Sequence, residues 1–217
     1  GVDRVAFNWV WGRWLMGGPT SLMTRVHIYG RERIPDSGGV VVAFNHFHWI
    51  DIPVYGWATT RPLYFLAKAE AHAVPVAGAY LRMFGSFAVR RGESDREAMR
   101  RMREVVRDGH MLGIFAEGTR QRNGVPGPVQ PGAAMVALNE GVPVLCAAIY
   151  GSQRWNWNLA PVSVAFAEPM RLEGLPAGSK GYRAASEQIE AKLHELWSWL
   201  RKLHEGGRRP RRATPPA

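Results

Sequence analysis

Cysteine is nearly absent. Cys146 stands alone in 217 residues, so neither a disulfide framework nor a thiolate metal site can be built from this chain. It lies in the apolar run Val142–Ile149, which reads as a buried structural thiol rather than a nucleophile and is consistent with a reducing, cytosolic face. Lysine is scarce too: only Lys68, Lys180, Lys192 and Lys202 occur among 28 basic residues, so arginine carries most of the formal net charge of +10. No apolar run approaches the roughly 20 residues of a membrane-spanning helix. A secretory signal is disfavoured, because Asn8, Gly12 and Arg13 break the apolar start and no small-residue cleavage site stands out. There is no P-loop pattern, no recognised nucleic-acid motif and no internal repeat.

What is present begins with the arginines. They are planar, permanently charged and suited to phosphate, so the balance points to an anionic partner: nucleic acid, an anionic lipid surface or a phosphorylated substrate. The plainer alternative is solvated faces written in Arg instead of Lys. The aromatics cluster at the N-terminus, where Val5–Met16 reads VAFNWVWGRWLM with Trp9, Trp11 and Trp14 close together. Tryptophan favours the membrane interface, so residues 1–25 read as a helical segment lying among lipid headgroups, against the alternative of a core helix packing its rings inward. Gly17-Gly18-Pro19 is expected to interrupt that helix.

Length and a hydrophobic fraction of 46% suit one α/β domain, taken as residues 26–205. Strands are expected at Val26–Tyr29, Val40–Phe44, Leu63–Leu66, Ser86–Val89, Met111–Phe115, Val142–Ile149 and Val162–Phe166. Helices are expected at Ile50–Ala58, Val76–Met83, Ser94–Arg107, Ala133–Asn139 and Gly181–Leu203. Ser94 and Glu97 form a capping box, and Asn123–Gly132 is a Gly/Pro-rich loop. The alternation predicts a mixed, largely parallel sheet flanked by helices, with the N-terminal interfacial helix as an accessory. Residues 206–217 (GGRRPRRATPPA) read as a disordered basic tail.

Three segments carry groups able to do chemistry, two of them directly after apolar strands and one at the end of a strand. In Asn45-His46-Phe47-His48-Trp49-Ile50-Asp51, His46 and Asp51 would diverge on one continuous helix. They converge only if a turn lies between them, where the carboxylate could fix the imidazole tautomer and raise its basicity. The His46-x-His48 pair lacks a third ligand at metal-binding spacing. Gly85 through Arg91 ends a strand in two arginines, and Phe115 through Arg120 places Glu117, Gly118, Thr119 and Arg120 in a tight turn rich in donors. A fourth segment, Val142 through Ile149, holds nothing reactive and reads as a wall of an apolar slot.

Taken together and in this order, the four segments resemble the motifs of the glycerolipid acyltransferase superfamily. Asn45-His46 through Asp51 is similar to Asn-His-x4-Asp. Gly85 through Arg91 is similar to the second motif, Phe115 through Arg120 to Phe-Pro-Glu-Gly-Thr-Arg, and Val142-Pro143-Val144 to the start of the fourth. Leu66 through Glu70 also looks like that family's Lys-containing segment. Ala116, Gln121 and Cys146 depart from the pattern.

The resemblance implies that His46 is the general base and Asp51 its orienter, with no metal and no cofactor beyond an acyl-CoA or acyl carrier protein co-substrate. It implies that Lys68, Arg90, Glu117, Gly118, Thr119 and Arg120 bind the acceptor's phosphate end. The expected reaction moves a fatty acyl group onto 1-acylglycerol-3-phosphate (lysophosphatidic acid), giving phosphatidic acid in phospholipid biosynthesis, at the cytoplasmic face of a membrane and in contact with anionic lipids. Other lysophospholipid or glycolipid acceptors, and a non-catalytic basic membrane-binding protein, are the alternatives; a nucleic-acid partner is not expected.

Overall fold

The computed structural model describes residues 9–68, 87–89, 95–156, 160–207 and 213–217. Among the described residues, seven strands form one sheet: β1 (His27–Tyr29), β2 (Val40–Phe44), β3 (Leu63–Lys68), β4 (Phe87–Val89), β5 (Met111–Phe115), β6 (Val144–Tyr150) and β7 (Ser163–Phe166). Their order is β1-β7-β6-β2-β5-β3-β4. Neighbours run parallel except β6 and β7, which are antiparallel. The expected mixed, largely parallel sheet is therefore found. Every residue of β2, β6 and β7 is buried, the pattern of strands covered on both faces.

Among the described residues, α-helices accompany the sheet at α1 (Gly18–Thr24), α2 (Asp51–Ala58), α3 (Asp95–Arg107), α4 (Gly132–Glu140) and α5 (Ser179–Glu205). In α3, Ala98, Met102 and Val106 recur four apart and are buried. Glu97 of α3 pairs with Arg100 and Arg101, while Ser94, its expected capping partner, lies outside the described residues. Helix α5 buries Ala185, Ile189, Leu193, Leu196 and Leu200 and packs on β6 and β7.

The N-terminal helix is not interrupted at Gly17-Gly18-Pro19. Residues 9–12 are helical, a π-turn follows at Arg13–Gly17, and α1 continues from Gly18. Pro19 follows directly on the π-turn, in the first turn of α1. The glycines serve close approach: a Cβ on Gly17 would sit 3.1 Å from Cβ of Trp57 in α2. Trp14 meets Trp57 edge-on with ring centroids 5.4 Å apart, and the Arg13 guanidinium lies over both Trp9 and Trp57. One side of this helix is thereby anchored, while Val10, Trp11, Trp14, Leu15 and Leu22 remain exposed.

Several arginines close the framework rather than decorate it. Arg61 donates to the carbonyls of Pro35, Gly38 and Gly109, and Arg31 to that of Trp57 at 2.7 Å. Arg33 donates to Phe166, Pro215 and Pro216. The end of the segment expected to be a disordered tail is thus held: Pro215 is buried, and Lys192 donates to the Ala217 carbonyl. The fork of Arg33 supplies paired donors to successive carbonyls, which a composition-based reading of basic residues and prolines does not capture. Residues 208–212, and the helix expected at Val76–Met83, lie outside the described residues.

Candidate active site

The carboxyl end of β2 sits between β5 and β6, and connections leave this point in opposite directions, the position where open α/β sheets gather ligands. How the chain leaves β2 is set by Asn45. Its side-chain amide donates to Ile149 O and its Oδ1 accepts from Ile149 N at 2.8 Å, prolonging the β2–β6 ladder by one side chain. The buried Tyr55 hydroxyl caps the arrangement, within 3.1 Å of Asn45 Oδ1. Burial, reinforced by Asp51 and Glu117, holds the Tyr55 phenol well above its usual pKa, so it remains a donor.

With the backbone freed from the sheet, residues 45–50 turn before α2 begins at Asp51. The turn brings ring and carboxylate together: His46 Nδ1 lies 2.8 Å from Asp51 Oδ2. That oxygen also accepts the backbone N–H groups of Phe47 at 2.6 Å and His48 at 2.8 Å. An oxygen already accepting two N–H groups receives the ring proton rather than giving one, which places hydrogen on Nδ1 and leaves Nε2 as an acceptor. Asp51 is fully buried, the His46 side chain is 12% exposed, and its ring stacks on Phe115 with centroids 4.0 Å apart. Phe44, Tyr55, Phe65 and Phe115 form the apolar bed beneath it.

The segment after β5 closes around the same peptide. Ala116 N donates to Phe44 O, and Gln121 N donates to His46 O at 2.7 Å. Glu117 is buried, with Oε2 accepting from His46 N at 2.9 Å and Oε1 from Gly127 N at 3.1 Å. Burial pushes its carboxyl up to about 7, although both backbone donors act in the opposite direction. Gly118 adopts a left-handed φ of 70° that favours glycine, and it turns Thr119 and Arg120 out to solvent. His48 packs against Trp49 and Trp155. Burial lowers its pKa, opposed by Asp51 and assisted by Arg120 and His46, which locates Arg120 within electrostatic reach of the imidazole pair.

The structure therefore brings together His46, Asp51, Glu117, Gly118, Thr119 and Arg120. The backbone of Lys68 ends β3 at the same carboxyl edge, opposite Val89. Arg90 lies outside the described residues. Asn45 and Phe115 fall within the expected motif segments with no role assigned to them there, and Tyr55 lies outside those segments. The apolar run at β2 and the Asn preceding His46 were visible in the sequence, but not that the amide would continue the ladder. Among the described residues, no group of three His, Cys, Asp or Glu side chains could hold a metal ion.

The acyltransferase family model matches residues 25–150, which contain His46, Asp51 and Glu117 with their hydrogen-bond partners. The chain belongs to the acyltransferase family. It is similar to a 1-acyl-sn-glycerol-3-phosphate acyltransferase of Bacillus subtilis, 25% identical over 189 residues covering 84% of this chain and 94% of that one. It is also similar to a lyso-ornithine lipid O-acyltransferase of Pseudomonas aeruginosa, 42% identical over 76 residues covering 35% of this chain and 29% of that one. Among solved structures, the acyltransferase PlsC of Thermotoga maritima, described as acting on 1-acyl-sn-glycerophosphate, shares the fold with a TM-score of 0.66 and 25% identity over 85% of this chain and 78% of that one.

Proposed function

We propose that this acyltransferase moves a fatty acyl group from acyl-CoA or acyl carrier protein to the free hydroxyl of 1-acylglycerol-3-phosphate, giving phosphatidic acid. The observation that carries the reading is the 2.8 Å contact between His46 Nδ1 and the buried Asp51 carboxylate, which leaves Nε2 free to take a proton. The acceptor hydroxyl loses its proton to Nε2 while its oxygen attacks the thioester carbonyl. The C–S bond of the tetrahedral adduct then breaks, and the departing thiolate takes the proton from His46. The chain's own thiol stays out of the reaction, since Cys146 is buried in β6 and its pKa is pushed up to about 12. Lys68, Arg90, Gly118, Thr119 and Arg120 would receive the acceptor's phosphate end, with Arg120 at the exposed rim supplying a permanent charge.

The acceptor resides in a bilayer, and the exposed Val10, Trp11, Trp14, Leu15 and Leu22 suit the interfacial layer of an anionic, cytoplasm-facing leaflet. No described helix is long and apolar enough to cross a membrane. A second acceptor class is favoured by one comparison, the Pseudomonas lyso-ornithine lipid enzyme matched at 42% identity.

The test is a thiol-release assay on vesicles carrying lysophosphatidic acid, run with both donor types and repeated with lyso-ornithine lipid. Acyl-dependent thiol release and phosphatidic acid are expected with lysophosphatidic acid. His46→Ala is expected to lower turnover about 10²–10⁴-fold while retaining the fold. No thioester consumption with any acceptor, or a near-normal rate for the variant, would overturn the assignment.

A further inference from the structure

We propose that Glu117 is a positioning residue for acyl transfer and not a ligand of the acceptor's phosphate end; this rests on the reading of His46 as the base. Both carboxylate oxygens are already engaged inside the fold, Oε2 by the N–H of His46 at 2.9 Å and Oε1 by the N–H of Gly127 at 3.1 Å. The residue is 4% exposed. To reach a phosphate it would have to leave two backbone donors unpaired inside the fold, which is unfavourable.

What the carboxylate does hold is the base. The His46 peptide is gripped at its N–H by Glu117 and at its carbonyl by Gln121 N at 2.7 Å, while its ring is held by Asp51. Glu117 and Gln121 bracket Gly118, Thr119 and Arg120, so the segment that presents the exposed cationic rim also fixes the imidazole. The bond to Gly127 adds the following loop to the unit. That loop is secured on its far side by Glu190 of α5, which accepts from Val129 N at 2.9 Å, and by Gln130 N donating to Ala116 O at 2.8 Å. One buried carboxylate thus sets the spacing between the proton acceptor and the rim, a spacing on which turnover depends steeply.

The experiment compares wild type, Glu117→Gln and Glu117→Asp in steady-state thiol release, with Arg120→Ala as the reference for a residue that binds the acceptor. Gln keeps the shape but turns an NH2 group toward one of the two backbone donors. Asp keeps the charge and shortens the reach by one methylene. Both are expected to lose tenfold or more in kcat while the KM for lysophosphatidic acid stays within about threefold, whereas Arg120→Ala raises that KM. A tenfold rise in acceptor KM with kcat retained in either Glu117 variant would overturn the proposal. Should either variant melt below the assay temperature, amide hydrogen exchange in the wild type decides instead. Slow exchange at both His46 and Gly127 is expected, and fast exchange at either overturns the tie. If the wild type itself consumes no thioester, the function assignment fails separately, and the exchange measurement still tests the tie.

Discussion

Asn45 decides where the site points. Its amide completes both hydrogen bonds of Ile149 after the strand's own peptides have turned away, so the next residue, His46, leaves the sheet in one direction only. Asn45→Ala strips partners from a buried N–H and a buried carbonyl, and a loss of roughly 2–4 kcal/mol is expected from chemical denaturation; a loss below about 1 kcal/mol would mean the ladder extension contributes little. The spacing of His46 and Asp51 was readable in the sequence, since only an intervening turn could bring them together. The direction of Glu117 was not, because spacing does not say whether a side chain after a strand points to solvent or back into the fold. Its titration gives a check. Burial raises the carboxyl from 4.5 to about 7, so the folded chain keeps a proton that the unfolded chain has released. The associated stability is complete below about pH 4.5 and is lost as pH rises through about 7. The melting temperature of wild type relative to Glu117→Gln is accordingly expected to rise as pH is lowered from about 8 to about 5, and a constant difference would contradict the shift.

At the scale of elements, strands were the easiest part to read. Runs such as Val40–Phe44 and Val144–Tyr150 are apolar throughout because both faces are covered, and turn residues bound them closely. The N-terminal helix was misread at its glycines. Local propensity marks Gly17-Gly18-Pro19 as a break, but tertiary contact with α2 overrides it and uses the missing side chains for close approach. Gly17→Leu is expected to destabilise the chain by about 1–3 kcal/mol through overpacking against Trp57, measured by thermal or chemical melting. A variant as stable as wild type would show that this helix is not seated as described.

Across the whole molecule, the formal charge of +10 is not all carried by arginines free to meet a partner. Arg31, Arg33 and Arg61 are turned onto backbone carbonyls, and Arg103 and Arg107 pair with Glu140. The proposed lipid contact therefore draws on greasy side chains as well as on charge. Replacing Val10, Leu15 and Leu22 with serine removes side chains that are 46%, 59% and 82% exposed, so the melting temperature is expected to hold while vesicle binding falls tenfold or more in sedimentation. Undiminished binding would move the membrane contact elsewhere. The π-turn at Arg13–Gly17 acquires a meaning here, because such a turn is a helix carrying one residue too many. Winding the same five residues as an ordinary α-helix would swivel everything upstream by about 100°. Trp9 would leave its berth, Trp11 would change heading, and the exposed apolar face proposed to meet lipid would look toward another quarter.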